Sequence, residues 1–137
     1  LNMLANMRLC SNVLAQQVVQ TSLGGTQSVD ELLLPGGRIY EQREFIYKAM
    51  NEIPGISAVK PKAAFYIFPK IDTAMYNIHD DEQFVLDFLK QEKVMLVHGR
   101  GFNWKDPDHF RIVYMPRVDE LAQIQEKMTR FLSKYRQ

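Results

Sequence analysis

The sequence predicts an α+β fold, a two-layer α/β arrangement in which a small mixed sheet is covered by helices. Three observations predict it. Several segments carry apolar residues at helical spacing, short apolar runs of strand length lie between them, and glycine or proline pairs separate the two kinds. Helices interleaved with a small sheet bury their apolar stripes against it, which gives two layers.

Residues 1–23 are rich in Leu, Met, Ala and Gln and read as helix, ended by Gly24-Gly25. Ser28-Val29-Asp30-Glu31 has the form of a capping box opening a short helix, broken by Pro35-Gly36-Gly37. Ile39, Arg43, Ile46, Met50 and Ile53 keep one face of a stronger helix that Pro54-Gly55 stops. "ISAVKPKAAFYIFPKI" reads as two strands around Pro61. Ala64 to Phe68 is apolar on both faces, so it is expected to be a central strand covered on both sides. Asp80 and Gln83 form an N-cap pair, and Phe84, Val85, Phe88 and Leu89 form the buried stripe of the helix they open. Val94 to Val97 and Phe110 to Met115 read as strands, the first ended by Gly99-Arg100-Gly101 and the second by Pro116. Leu121, Ile124, Met128, Phe131, Leu132 and Tyr135 give the last helix the clearest period of all.

The bulk numbers exclude several classes. A chain of 137 residues suits one domain, or one domain with a piece of another. Apolar residues make up 46% and charged residues 24%, an ordinary globular balance that argues against disorder. A net charge of +1 gives no reason to expect nucleic acid or a membrane surface as partner. Cys10 is the single cysteine, so no intrachain disulfide can form. With no secretory signal pattern, a cytoplasmic location is expected. The opening "LNMLANMRLC" reads as mid-helix, as if cut from something longer.

One residue does not fit its surroundings. In "HFRIVYM", alternation puts Phe110, Ile112 and Tyr114 on one face and Arg111, Val113 and Met115 on the other. A guanidinium keeps its charge, and burial without an acceptor costs several kcal/mol, on the order of the penalty for any lone buried ion. Something must therefore face Arg111. A structural ion pair with an Asp or Glu of the domain would serve, and so would an anionic ligand, because the arginine fork matches a carboxylate through two parallel hydrogen bonds. The preceding loop, "HGRGFNWKDPDH", is either a binding element or a plain connector whose glycines supply positive φ.

Other candidates carry less. His79, His98 and His109 have no metal-ligand spacing with one another or with Cys10, so no metal is expected. Cys10 reads as an inert core residue, and Lys60, Lys62 and Lys70 as solvated charges beside strands. There is no phosphate-binding glycine motif, and the acidic residues, mostly on helix faces or caps, give no catalytic pair.

Four stretches, in order, resemble the C-terminal region of class I, fold-type I aminotransferases, the first resembling the helix that leads out of the large domain and the other three the small domain. They are "RLCSNVLAQQVVQTSLGG", "KPKAAFYIFPKI", "FLKQEKVMLVHGRGF" and "HFRIVYMPRVDEL". The Gly-x-Gly-Phe loop, "FNW" and "IHDDEQFVLDFL" are most similar to those of alanine aminotransferases. The loop departs from the commoner Pro-Gly-x-x-Phe-Gly form, with His98 at the proline and Asn103 at the glycine.

The resemblance implies that residues 1–34 are a helical segment from the end of a large cofactor-binding domain, and that 35–137 are the small domain. It implies that Arg111 binds the α-carboxylate of the substrate. The parent enzyme would use pyridoxal 5'-phosphate to move an amino group between L-alanine, or a similar amino acid, and a 2-oxo acid such as 2-oxoglutarate. It would be a homodimer. The lysine that binds the cofactor, and the groups that hold its ring and phosphate, would lie before Leu1. The fragment is therefore expected to contain no catalytic or cofactor-binding residue, to bind no cofactor and to be inactive. The alternatives are a non-catalytic α+β ligand-binding or interaction module, and a structural piece with Arg111 in an internal ion pair. An RNA-binding sheet is disfavoured, because the strand aromatics alternate with aliphatics and the net charge is near neutral.

Overall fold

A computed structural model describes Met3 and residues 11–137. The sequence-predicted helix over 1–23 is seen as α1, Val13–Gly24, capped by Asn12, whose side chain accepts from Ala15 N at 3.1 Å. Ser11 and Asn12 precede α1 outside the helix, and the predicted span before them, Met3 apart and Cys10 included, lies outside the described residues. No residue of α1 is buried, and Val13, Leu14, Val18 and Leu23 are all more than half exposed.

A single turn, α2 (Asp30–Leu33), follows. Val29 stands at its N-cap without a side-chain bond, so the capping box expected from Ser28 is not formed. Helix α3 (Arg38–Glu52) is the first element of the core. Ile39, Ile46 and Met50 are buried at the spacing read from the sequence. Gln42 is buried with them, and its amide donates to the carbonyls of Met115 at 3.0 Å and Pro116 at 2.6 Å. Those two bonds tie α3 to the chain just beyond the arginine-bearing strand.

Strand β1 (Ile56–Ser57) pairs antiparallel with β3 (Lys70–Ile71). Between them, β2 (Tyr66–Ile67) joins a second sheet. Short α4 (Thr73–Tyr76) was not legible as a helix, although Asp72 caps it through Ala74 N and Met75 N. Helix α5 (Asp81–Glu92) begins where the Asp80 cap predicts, with Asp80 accepting from Glu82 N and Gln83 N. Phe84, Val85 and Phe88 are buried, while Leu89 stays 37% exposed.

Strand β4 (Val97–His98) starts three residues later than the sequence suggests. It leads into a 3-10 helix over Gly99–Phe102, then β5 (Phe110–Val113) and α6 (Val118–Lys134). The second sheet has the order β2-β5-β4, and every strand pair among the described residues is antiparallel rather than mixed.

The expectation of a central strand over Ala64–Phe68 is corrected. Ala64 takes a left-handed conformation, φ 57°, which breaks the extended run. Only Tyr66 and Ile67 remain as strand, at the sheet edge, with Phe65 and Tyr66 each 40% exposed. The central strand is β5.

The core lies on one face of that sheet. Ile67, Phe110 and Ile112 point inward against α3, α5 and α6. Phe84 is its aromatic centre, with ring centroids 5.7 Å from Phe110, 6.1 Å from Phe131 and 5.7 Å from Tyr135. No described helix is long and apolar enough to cross a membrane.

Tyr135 closes the core and donates its hydroxyl to Asp87 Oδ2 at 3.1 Å. Burial first, and then this carboxylate, push the phenol from 10.0 up to about 12. A raised folded value means that the neutral phenol favours the fold. That contribution is complete below pH 10 and is lost as pH rises from 10 to about 12. Tyr135→Phe is expected to flatten this part of the alkaline stability profile, as measured by urea midpoints across that range.

Candidate functional site

The outer face of the β2-β5-β4 sheet carries the candidate site. In the register, Tyr66 faces Val113 and Val97 faces Arg111, so all four share one side of the pleat. The opposite side sends Phe110, Ile112 and Tyr114 into the core, as the alternation predicts. The outer side is open: Tyr66 and Val113 are 40% exposed, Met115 is 37% exposed, and Arg111 is half-buried. The sequence places Arg111 on an apolar face, and the structure agrees, but that face is not part of this domain's core.

Arg111 has neither an ion pair nor a side-chain hydrogen bond among the described residues, and its Nε is buried with no partner. Aromatic rings hold it instead. Its guanidinium carbon lies 4.5 Å from the Tyr66 ring centroid and 4.4 Å from that of Phe102. Such contacts stabilise the cation electrostatically without using its N–H donors. The internal ion pair left open by the sequence is therefore not made within the described chain. The guanidinium keeps its planar fork available for an acceptor from outside.

The Phe102 ring comes from the loop between β4 and β5. Gly99 lies so close to β5 that a Cβ there would meet His109 O at 2.8 Å, and its N–H donates to that same oxygen at 2.8 Å. Close approach, not positive φ, is what requires this glycine; the left-handed residue of the loop is Asn103, φ 60°. On the other side Arg100 reaches α5. Its backbone N–H donates to Asp81 Oδ2 at 2.9 Å, and its guanidinium bonds Asp81 Oδ1 and Asp80. The bond to Asp81, foremost, holds the Arg100 guanidinium above its ordinary value.

Beside this lies a second cluster. Phe68 stacks on His109 at 4.9 Å and meets the Trp104 ring edge-on at 5.6 Å. Asp108 accepts from Trp104 Nε1 at 2.8 Å, contacts His109 Nδ1 at 2.6 Å and pairs with Lys70 at 3.3 Å. Burial pushes its carboxyl up, but these three partners outweigh burial and leave it below the ordinary carboxylate value.

The other sequence candidates fall elsewhere. Lys60 pairs with Glu44 at 2.7 Å and Lys70 with Asp108, and Lys62 is exposed. Each of these lysines is at the surface, as the sequence predicts. His79 is exposed, and no group of described residues could hold a metal ion.

Three contributors escaped the sequence reading. Tyr66 and Phe102 cover Arg111, and Asp81, only 1% exposed, is not a surface cap residue but a buried anion. A buried acid could have been suspected from the pair Asp80-Asp81, since one cap residue suffices. The contact of Phe102 with Arg111 had no local signal, because it depends on the loop's path over the sheet.

No family model matches the sequence. Relatives do. The chain is 59% identical over all 137 residues to the glutamate-pyruvate aminotransferase AlaA of Escherichia coli, of which it covers 34%. It is 52% identical, again over its full length, to the alanine aminotransferase of Mycobacterium tuberculosis, covering 32% of that protein. It thus spans about a third of the curated relatives it matches. Among solved structures, an aminotransferase from Escherichia coli superposes with a TM-score of 0.87 at 59% identity, over 98% of this chain and 33% of that one. The alanine aminotransferase from Pyrococcus furiosus gives 0.77 at 40%, over 96% and 33%.

Proposed function

Since this chain matches the C-terminal portion of the alanine and glutamate-pyruvate aminotransferases along its whole length, we propose that it supplies the substrate-carboxylate end of such an enzyme's active site. The parent protein moves an amino group between L-alanine, or a similar amino acid, and a 2-oxo acid such as 2-oxoglutarate. The observation that carries the reading is the unpartnered Arg111 fork, held by Tyr66 and Phe102 on an open sheet face.

Pyridoxal 5'-phosphate is the cofactor such a reaction calls on, supplying the electron sink. In this reading the lysine that binds it, and the groups that hold its ring and phosphate, belong to the part of the parent that these residues do not represent. Residues 35–137 form the small domain, and residues 1–34 belong with the larger one. Helix α1 fits that division, since its apolar side chains find no place in this core.

What this chain contributes is orientation. Arg111 grips the carboxylate with two parallel hydrogen bonds and fixes the rest of the substrate relative to the catalytic groups. The apolar face around it, from Tyr66 to Val113 and Met115, sheds water as the parent closes, which strengthens the ion pair. The parent is a cytoplasmic homodimer in this reading, with no nucleic-acid or membrane partner.

Assay of the full-length parent tests the proposal. It is expected to convert L-alanine and 2-oxoglutarate to pyruvate and glutamate, while the 137-residue chain alone does not. Failure of the parent with every amino acid tried, or turnover by the chain alone, would overturn it.

A further inference from the structure

Asp81 makes a buried polar contact that the proposed binding role does not use. Asp81 begins α5 and is 1% exposed. It does not cap that helix, because Asp80 already accepts from Glu82 N and Gln83 N. Both Asp81 oxygens go instead to a single residue, Arg100, one to its backbone N–H and one to its Nε. A carboxylate held so deeply is stable only while those donors stay in place.

Arg100 lies two residues before Phe102 in the same 3-10 helix. Phe102 is 45% exposed, so core burial does not fix its ring, yet that ring lies 4.4 Å from the Arg111 guanidinium carbon. Phe68 meets that ring edge-on at 6.3 Å on one side, and the path of the loop backbone sets where the ring can reach. Before Phe102 that path is fastened by Gly99 to His109, just ahead of β5, and by Arg100 to α5; beyond it, Trp104 bonds Asp108.

We infer that Asp81 is a positioning residue, whose buried carboxylate, through Arg100, sets the Phe102 ring against the Arg111 guanidinium and so fixes the direction of its fork. The inference rests on the carboxylate-binding role of Arg111. With the clamp released, the cation remains but its orientation spreads, so substrate binding suffers more than the chemical step.

The test uses the full-length protein with Asp81→Asn, and with Arg100→Gln in case the buried substitution prevents folding; the Arg100 side chain is 43% exposed. Amide hydrogen exchange over residues 99–104 should quicken about tenfold, with residues 84–92 unchanged. KM for both substrates should rise about tenfold while kcat stays within about twofold. Arg100→Lys, which keeps a cation and the backbone bond, should recover much of both effects.

Unchanged exchange over 99–104 would overturn the inference. So would a loosened loop with unaltered KM, provided that Arg111→Lys still raises KM. If Arg111→Lys leaves KM unaltered, the carboxylate assignment falls instead, and the exchange rates alone judge the clamp.

Discussion

In the full-length protein, Arg111→Lys is expected to raise KM for both the amino acid and the 2-oxo acid by about 10- to 100-fold, with a smaller fall in kcat. The charge survives this substitution, so simple attraction does too. What is lost is the planar pair of donors: an ammonium group meets a carboxylate as a point charge and leaves its angle unfixed. The ring contacts of Arg111 sharpen the expectation. With its guanidinium carbon 4.4–4.5 Å from Phe102 and Tyr66, its position is set before substrate arrives, so little ordering cost attaches to binding. Loss of that preorganised fork falls on both half-reactions alike, because both substrates bring an α-carboxylate. Steady-state kinetics with each substrate varied in turn checks this. An effect on only one of the two would point to a side-chain contact rather than to the α-carboxylate.

The second large effect is on stability. Phe84→Ala in the 137-residue chain is expected to cost about 3–5 kcal/mol, the usual range for removing a fully buried aromatic ring. Phe84 is 1% exposed and contacts the rings of Phe110, Phe131 and Tyr135, so it joins α5 to β5 and α6. The surrounding rings cannot close the gap, because each is held by its own element. Urea unfolding followed by far-UV circular dichroism measures it, through a lowered midpoint at constant slope. Leu89→Ala on the same helix, 37% exposed, should cost far less.

The contrast between Phe84 and Leu89 shows how far the sequence carries. Helical periodicity named the buried stripes of α3, α5 and α6 almost residue by residue, since those stripes face one core and the period is a local property. Leu89, Arg43 and Ile124 were named but lie at the stripes' margins, only partly buried or exposed, while the buried Gln42 and Ala49 of α3 were missed. Strands were less legible. Each is two to four residues long, too short for alternation to fix its ends. The left-handed Ala64 that breaks the expected central strand carries none of the usual glycine or asparagine signal.

The candidate site divides in the same way. Arg111 stood out at once, because a charge between apolar neighbours in a strand is a local contradiction. Its ring partners did not. Tyr66 reaches it across the β2–β5 register, and Phe102 through a loop pinned by Gly99 and Arg100. Both are consequences of topology, which no local pattern encodes. The buried Asp81 was hidden for a different reason. An acid in the first turn of a helix is so commonly a solvated dipole partner that its burial shows only in three dimensions.

The most direct test of the account is a crystal structure of the full-length protein with 2-oxoglutarate bound. The account expects a substrate carboxylate in the plane of the Arg111 guanidinium, both oxygens about 2.7–2.9 Å from its nitrogens. An aspartate or glutamate of the protein in that place, with the substrate's α-carboxylate held by another group, would contradict it.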